Sequence, residues 1–140
     1  MEVCKEIMAG KNVLDKLIVD EDEDPNYDIL ASLIEKNLKF TKEGEFIYEK
    51  EFNKSQSWKK IMIYLLGRKV VFIKELKKDF KEQVTPKDIS DEIGIPQKSV
   101  CKFLSTELKG ITKSQNGSHF IPNYNLHKCE DLLNRSNGKT

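Results

Sequence analysis

A chain of 140 residues holds one ordinary domain or two very small ones. Its 38% hydrophobic and 34% charged residues describe a well-solvated protein, and the longest apolar run, Ile61 to Leu66, falls far short of the roughly 18 residues that mark a membrane span. The net charge of +1 hides an asymmetry: residues 1–56 carry 8 basic and 14 acidic side chains (−6), and residues 57–140 carry 16 and 9 (+7).

A basic half beside an acidic one is the footprint expected of a nucleic-acid module joined to a segment that does not bind. Charges at Glu2, Lys5 and Glu6 leave no apolar region for a signal peptide. Three scattered cysteines, Cys4, Cys101 and Cys129, fit a cytoplasmic protein with free thiols. Basic residues are almost all lysine, with Arg68 and Arg135 the only arginines, which favours phosphate attraction over bidentate reading of guanine.

In chain order, residues 2–9 and 12–19 are expected to be helical, with Val3, Ile7 and Met8, then Val13, Leu14, Leu17 and Ile18, as apolar stripes. Asp20 to Pro25 forms an acidic connector that lacks the glycine and closing glutamate of a calcium loop. A third helix runs from a cap at Asn26 or Asp28 to about Asn37, burying Ile29, Leu30, Leu33 and Ile34. Leu38–Thr41 and Glu45–Phe52 then alternate as a β-hairpin around Gly44. Trp58–Leu66 is a helix, Gly67-Arg68-Lys69 interrupts it, and Val70–Phe80 resumes as a second one; the alternative is a single bent helix joining two lobes.

Residues 85–109 carry the most information. Thr85 is an N-cap, Pro86 sits at the first helical position and Asp88 lies in the first turn. Ile89 and Ile93 share one face, small Ser90 lets a neighbouring helix approach, and Gly94 ends the helix. Ile95 plugs the turn and Pro96 blocks continuation. From Gln97 to Leu108, Val100, Phe103, Leu104 and Leu108 form an amphipathic stripe, and Gln97, Lys98, Ser99, Lys102, Ser105 and Thr106 fill the opposite, cationic face. Ile111–Lys113 and His119–Ile121 read as strands flanking Ser114 to Ser118, where Asn116-Gly117 signals a hairpin turn. Leu126, Cys129, Leu132 and Leu133 mark a C-terminal helix, with residues from Arg135 onward expected to fray.

With Ser90, Gly94, Ile95, Val100 and Leu104 in these places and a hairpin following, residues 69 to 134 resemble the winged helix-turn-helix superfamily of DNA-binding domains. The expected fold is mainly α with small β-hairpins (α+β), divided into an acidic lobe over 1–56 and a basic winged-helix domain over 57–140. A short echo between Leu38–Ile47 and Leu108–Ile121 raises a tandem of two winged-helix-like units.

The resemblance implies a transcriptional regulator bound to double-stranded DNA. Gln97, Lys98, Ser99 and Lys102 would lie at the major groove, Lys109, Lys113, Ser114 and Asn116 along phosphates or the minor groove, and Thr85 and Lys87 on the backbone. A homodimer or protein partner is expected through the acidic half or the C-terminal helix. The rival is a non-catalytic assembly subunit whose winged helices bind protein across an exposed apolar groove. A regulator responding to a small molecule is a third option, with no pocket legible.

No cofactor or metal is expected. His119, His127 and Cys129 are scattered fragments of a zinc set rather than paired motifs. Cys101, near Lys98 and Lys102, is either a redox-sensing thiol or a small packing residue. Phosphate-binding, dinucleotide-binding, nucleophile-elbow and zinc-protease motifs are all missing, so an enzyme is not expected.

Overall fold

A computed structural model describes residues 26–137, together with Leu14, which is helical and exposed. The helices expected over 2–9 and 12–19, the latter apart from Leu14, and the acidic connector lie outside the described residues. The described chain is mixed: α1 (Tyr27–Ile34), β1 (Leu38–Phe40), β2 (Phe46–Tyr48), α2 (Lys50–Lys54), α3 (Ser57–Ile73), α4 (Pro86–Ile93), α5 (Gln97–Ser105), β3 (Lys113–Gln115), β4 (Ser118–Phe120), a 3-10 turn (Asn123–Asn125) and α6 (Leu126–Asn137). The two strand pairs are separate antiparallel hairpins, so the α+β class holds.

The apolar run Ile61–Leu66 becomes the middle of α3, with consecutive residues buried on every side. A helix apolar all round must be surrounded. Accordingly α1, α2, α4 and α5 all pack against α3, and α6 packs on α1. One buried cluster runs from Leu30, Leu33 and Leu38 through Ile61, Leu65 and Leu66 to Ile89, Val100, Ile121 and Cys129, joining residues from both charge halves of the chain.

Gly67-Arg68-Lys69 does not interrupt this helix; α3 is continuous from Ser57 to Ile73 and stops there, so the second helix expected to reach Phe80 is absent. All three residues serve other elements. A Cβ on Gly67 would sit 2.8 Å from Leu38 Cδ1 and 3.3 Å from Phe46 Cε2, so the missing side chain lets the first hairpin lie on α3. Arg68 and Lys69 fasten the segment 74–83, which is irregular. Arg68 Nε donates to the Glu82 carbonyl at 3.2 Å and Nη2 to the Lys81 carbonyl at 2.5 Å. Its guanidinium lies 4.4 Å from the Phe80 ring centre. Lys69, 1% exposed, pairs with Glu82 Oε2 at 2.8 Å and donates to Asn123 Oδ1 at 2.6 Å.

Other boundaries also shift. The second strand expected through Phe52 ends at Tyr48, and Lys50–Lys54 turns into α2 so that Phe52 is buried beneath Tyr48, with ring centres 4.7 Å apart. The first hairpin is tied to α4 by the Tyr48 hydroxyl, which donates to Glu92 Oε1 at 3.0 Å. Both halves of the proposed repeat share the order helix then hairpin. Their connections differ: β1 and β2 are joined across 41–45, while β3 and β4 are joined by two residues.

Replacing Gly67 with valine is expected to destabilise the protein by about 1–3 kcal/mol through overpacking. Gly67→Ala should cost less, because alanine regains about 1 kcal/mol of helix propensity. Urea unfolding of both variants checks the order. A second expectation concerns Cys129, whose thiol burial pushes up from its ordinary value of 9.0 to about 12, against the pull of Lys69. Below pH 9 the thiol is protonated in both folded and unfolded chains. Between 9 and 12 only the unfolded chain releases the proton, so stability falls across that window. Tyr48 and Tyr64, also raised chiefly by burial, add to the fall above pH 10. In melts at stepped pH, Cys129→Ala should remove the early part of the decline.

Candidate nucleic-acid interface

Helix α4 begins and ends as its residues dictate. Thr85 Oγ1 accepts from the Asp88 amide at 3.2 Å, Pro86 occupies the first turn, and Gly94 closes the helix with φ +74°. Ile95 is buried in the turn, and Pro96 leads directly into α5. The two helices pack against each other and both pack on α3, with Ile89, Val100 and Leu104 buried between them.

Helix α5 ends at Ser105 rather than Leu108. Ser105 Oγ lies 3.0 Å from the carbonyls of both Cys101 and Lys102. Thr106 Oγ1 lies 2.7 Å from the Lys102 carbonyl and 2.5 Å from Glu107 Oε2, and its one proton is shared between these acceptors. Hydroxyls turned back on the backbone compete with helix continuation. Thr106 leaves the helical region, and Leu108 and Ile111 are buried from a following series of turns that includes Gly110.

The second hairpin is shorter and tighter than expected. Its first strand begins at Lys113, not Ile111, and the turn is Asn116-Gly117 alone, with φ of 51° and 82°. Sequence reading missed what holds it. Val84, just ahead of α4, exchanges backbone hydrogen bonds with His119 at 3.0 and 2.7 Å, and Gln83 Nε2 donates to Gln115 Oε1 at 2.7 Å. A single bridging residue leaves no periodic signal. On the other side, Asn125 Nδ2 donates to the Ile111 carbonyl at 2.7 Å and Lys128 Nζ to the Gly110 carbonyl at 3.2 Å.

On this frame Gln97, Lys98 and Lys102 are exposed along α5, and Ser99 is half-buried. Cys101 is exposed on the same face, so it is not a packing residue. Lys109 is exposed in the turns after α5; Ser114 and Asn116 are exposed on the hairpin, and Lys113 is half-buried at its base. Lys87 is exposed at the start of α4, while Thr85 spends its side-chain oxygen on the cap. The structure thus brings Gln97, Lys98 and Lys102 onto one helix face, and Lys113, Ser114 and Asn116 onto one hairpin.

Two titratable groups modify this surface. The Glu107 carboxyl is held below its usual range by the Thr106 hydroxyl, then by its own backbone amide, with a smaller pull from Lys102. It is therefore a fixed anion at the end of the cationic face. Burial lowers the His119 imidazole, which stays neutral at pH 7 and adds no charge to the hairpin.

Away from this face, an open groove of about 510 Å³ is lined by Tyr27, Leu30, Ala31, Val70, Ile73 and Lys74, between α1 and the end of α3. Among the described residues no three histidine, cysteine or acidic side chains group as a metal site, and no helix is long and apolar enough to cross a membrane.

Since a Cβ at Gly94 meets nothing within 4 Å, Gly94→Ala isolates the cost of the left-handed backbone, about 1–2 kcal/mol, and Gly94→Asn should cost less. Chemical denaturation of the two variants measures this. Comparison of the chain with protein-family models, curated proteins and solved structures finds no match.

Proposed function

We propose that residues 57–137 form a winged helix-turn-helix that binds duplex DNA, with transcriptional regulation as its use. The observations that carry this reading are the exposed Gln97–Lys98–Lys102 face of α5 and the hairpin held by Val84 ahead of α4. Helix α5 is the groove-entering element, the Asn116-Gly117 hairpin is the wing, and Lys87, Lys109 and Lys113 lie along phosphates. Thr85 supports this indirectly, as the cap that fixes where α4 starts. Self-association or partner binding falls to α6 or the acidic N-terminal half.

Fluorescence anisotropy of a random-sequence duplex at two salt concentrations tests the proposal. Binding at micromolar protein should weaken as salt rises. It should drop at least tenfold in Lys98→Glu/Lys102→Glu, whose two exposed sites leave the core untouched. Salt-independent binding, or equal binding by the variant, counts against the reading.

One observation favours the protein-binding alternative: the apolar groove between α1 and α3, flanked by a half-exposed Tyr27. Absence of DNA binding at low salt would move the function to that surface.

A further inference from the structure

Which duplexes a groove-entering helix selects depends on the side chains it can send to base edges. Discrimination in the major groove rests mainly on paired contacts, arginine or lysine to guanine and asparagine or glutamine to adenine, and lysine, a point charge without arginine's planar fork, holds such a pair least rigidly. Helix α5 is poorly supplied with them. It has no arginine; Arg68 is held by the carbonyls of Lys81 and Glu82, and Arg135 lies on α6. The hydroxyls of Ser105 and Thr106 are engaged with the helix's own carbonyls, and Ser99 is half-buried. Lys98 and Lys102 are point charges suited to phosphate. Gln97 differs: it is exposed, occupies the first position of the helix, and its side chain makes no hydrogen bond with any described residue. The N-terminal end of such a helix is the part that meets base edges. Asn116, at the hairpin tip, would face a minor groove whose pattern separates little beyond A·T from G·C.

We infer, on the basis of the DNA-binding reading, that Gln97 is the one base-discriminating side chain of α5 and that the protein takes duplex DNA with low sequence selectivity, its major-groove preference confined to a single adenine. Affinity then comes from the lysines and applies to any duplex.

Equilibrium selection from a random duplex pool, followed by sequencing, measures this for the wild type and for Gln97→Ala. The wild type should enrich adenine at one position, and its best sequence should bind no more than about 100-fold tighter than the pool average, within what one good bidentate pair supplies. Gln97→Ala should lose the enrichment, and its affinity for the wild type's best sequence should fall to about that for the pool average. Circular dichroism melts confirm that this exposed substitution leaves the fold in place. Enrichment at several positions with selectivity above about 1,000-fold, the range of site-specific regulators, overturns the inference and leaves the DNA-binding reading standing. So does adenine enrichment that survives in Gln97→Ala, or a flat profile in the wild type. Failure of every duplex to bind at low salt removes the DNA-binding reading itself, and the inference with it.

Discussion

The arrangement depends on an ion pair closed inside the protein. Lys69 lies within the buried length of α3, where an unpaired cation carries a desolvation penalty of several kcal/mol. Its two partners come from separate stretches of chain, Glu82 ahead of α4 and Asn123 ahead of α6. Satisfying one buried ammonium therefore draws both stretches onto the central helix. Each then supports the second hairpin: Val84, close to Glu82, bridges to His119, and Asn125, close to Asn123, holds the carbonyl of Ile111. The hairpin is anchored on both sides to segments that the same lysine positions.

Local rules made the two helices over 86–105 and their turn legible in the sequence. Thr85, Pro86, Gly94 and Asn116-Gly117 each act through backbone geometry within a few residues, and each sits where its chemistry predicts. The failures share a different origin. Gly67 looks like a helix breaker until Leu38 and Phe46 are seen lying over it. Arg68 and Lys69 look like an interruption of the helix until Phe80, Glu82 and Asn123 close on them. The stripe from Val100 to Leu108 is apolar throughout, yet Leu108 is buried from a turn, because Ser105 and Thr106 bond back to the helix. In each case a partner distant in sequence, or a hydroxyl competing with the backbone, overrides a periodic pattern. The positions of Gln97, Lys98 and Lys102 were legible because exposure on an amphipathic helix follows from its period. The Val84–His119 bridge was not.

Charge on this surface is arranged unevenly. Cationic groups gather on α5 and around the hairpin, while Glu107, stabilised as an anion by Thr106, stands at the helix end. On the exposed side of α4, Asp88, Asp91 and Glu92 outnumber Lys87, and Glu92 is engaged by Tyr48 of the first hairpin. A polyanion would thus meet attraction along one edge of the helix pair and repulsion along the other.

Thr106 and Ser105 turn inward to the backbone, whereas the side chains of Gln97, Lys98 and Cys101 make no hydrogen bond or ion pair within the described protein. Substitutions at such surface positions typically shift stability by no more than about 0.5 kcal/mol. The residues that would meet a ligand are therefore separable from those that maintain the fold. Mutation can sample new side chains at positions 97, 98 and 101 without eroding the scaffold, while the buried lysine and its partners stay fixed.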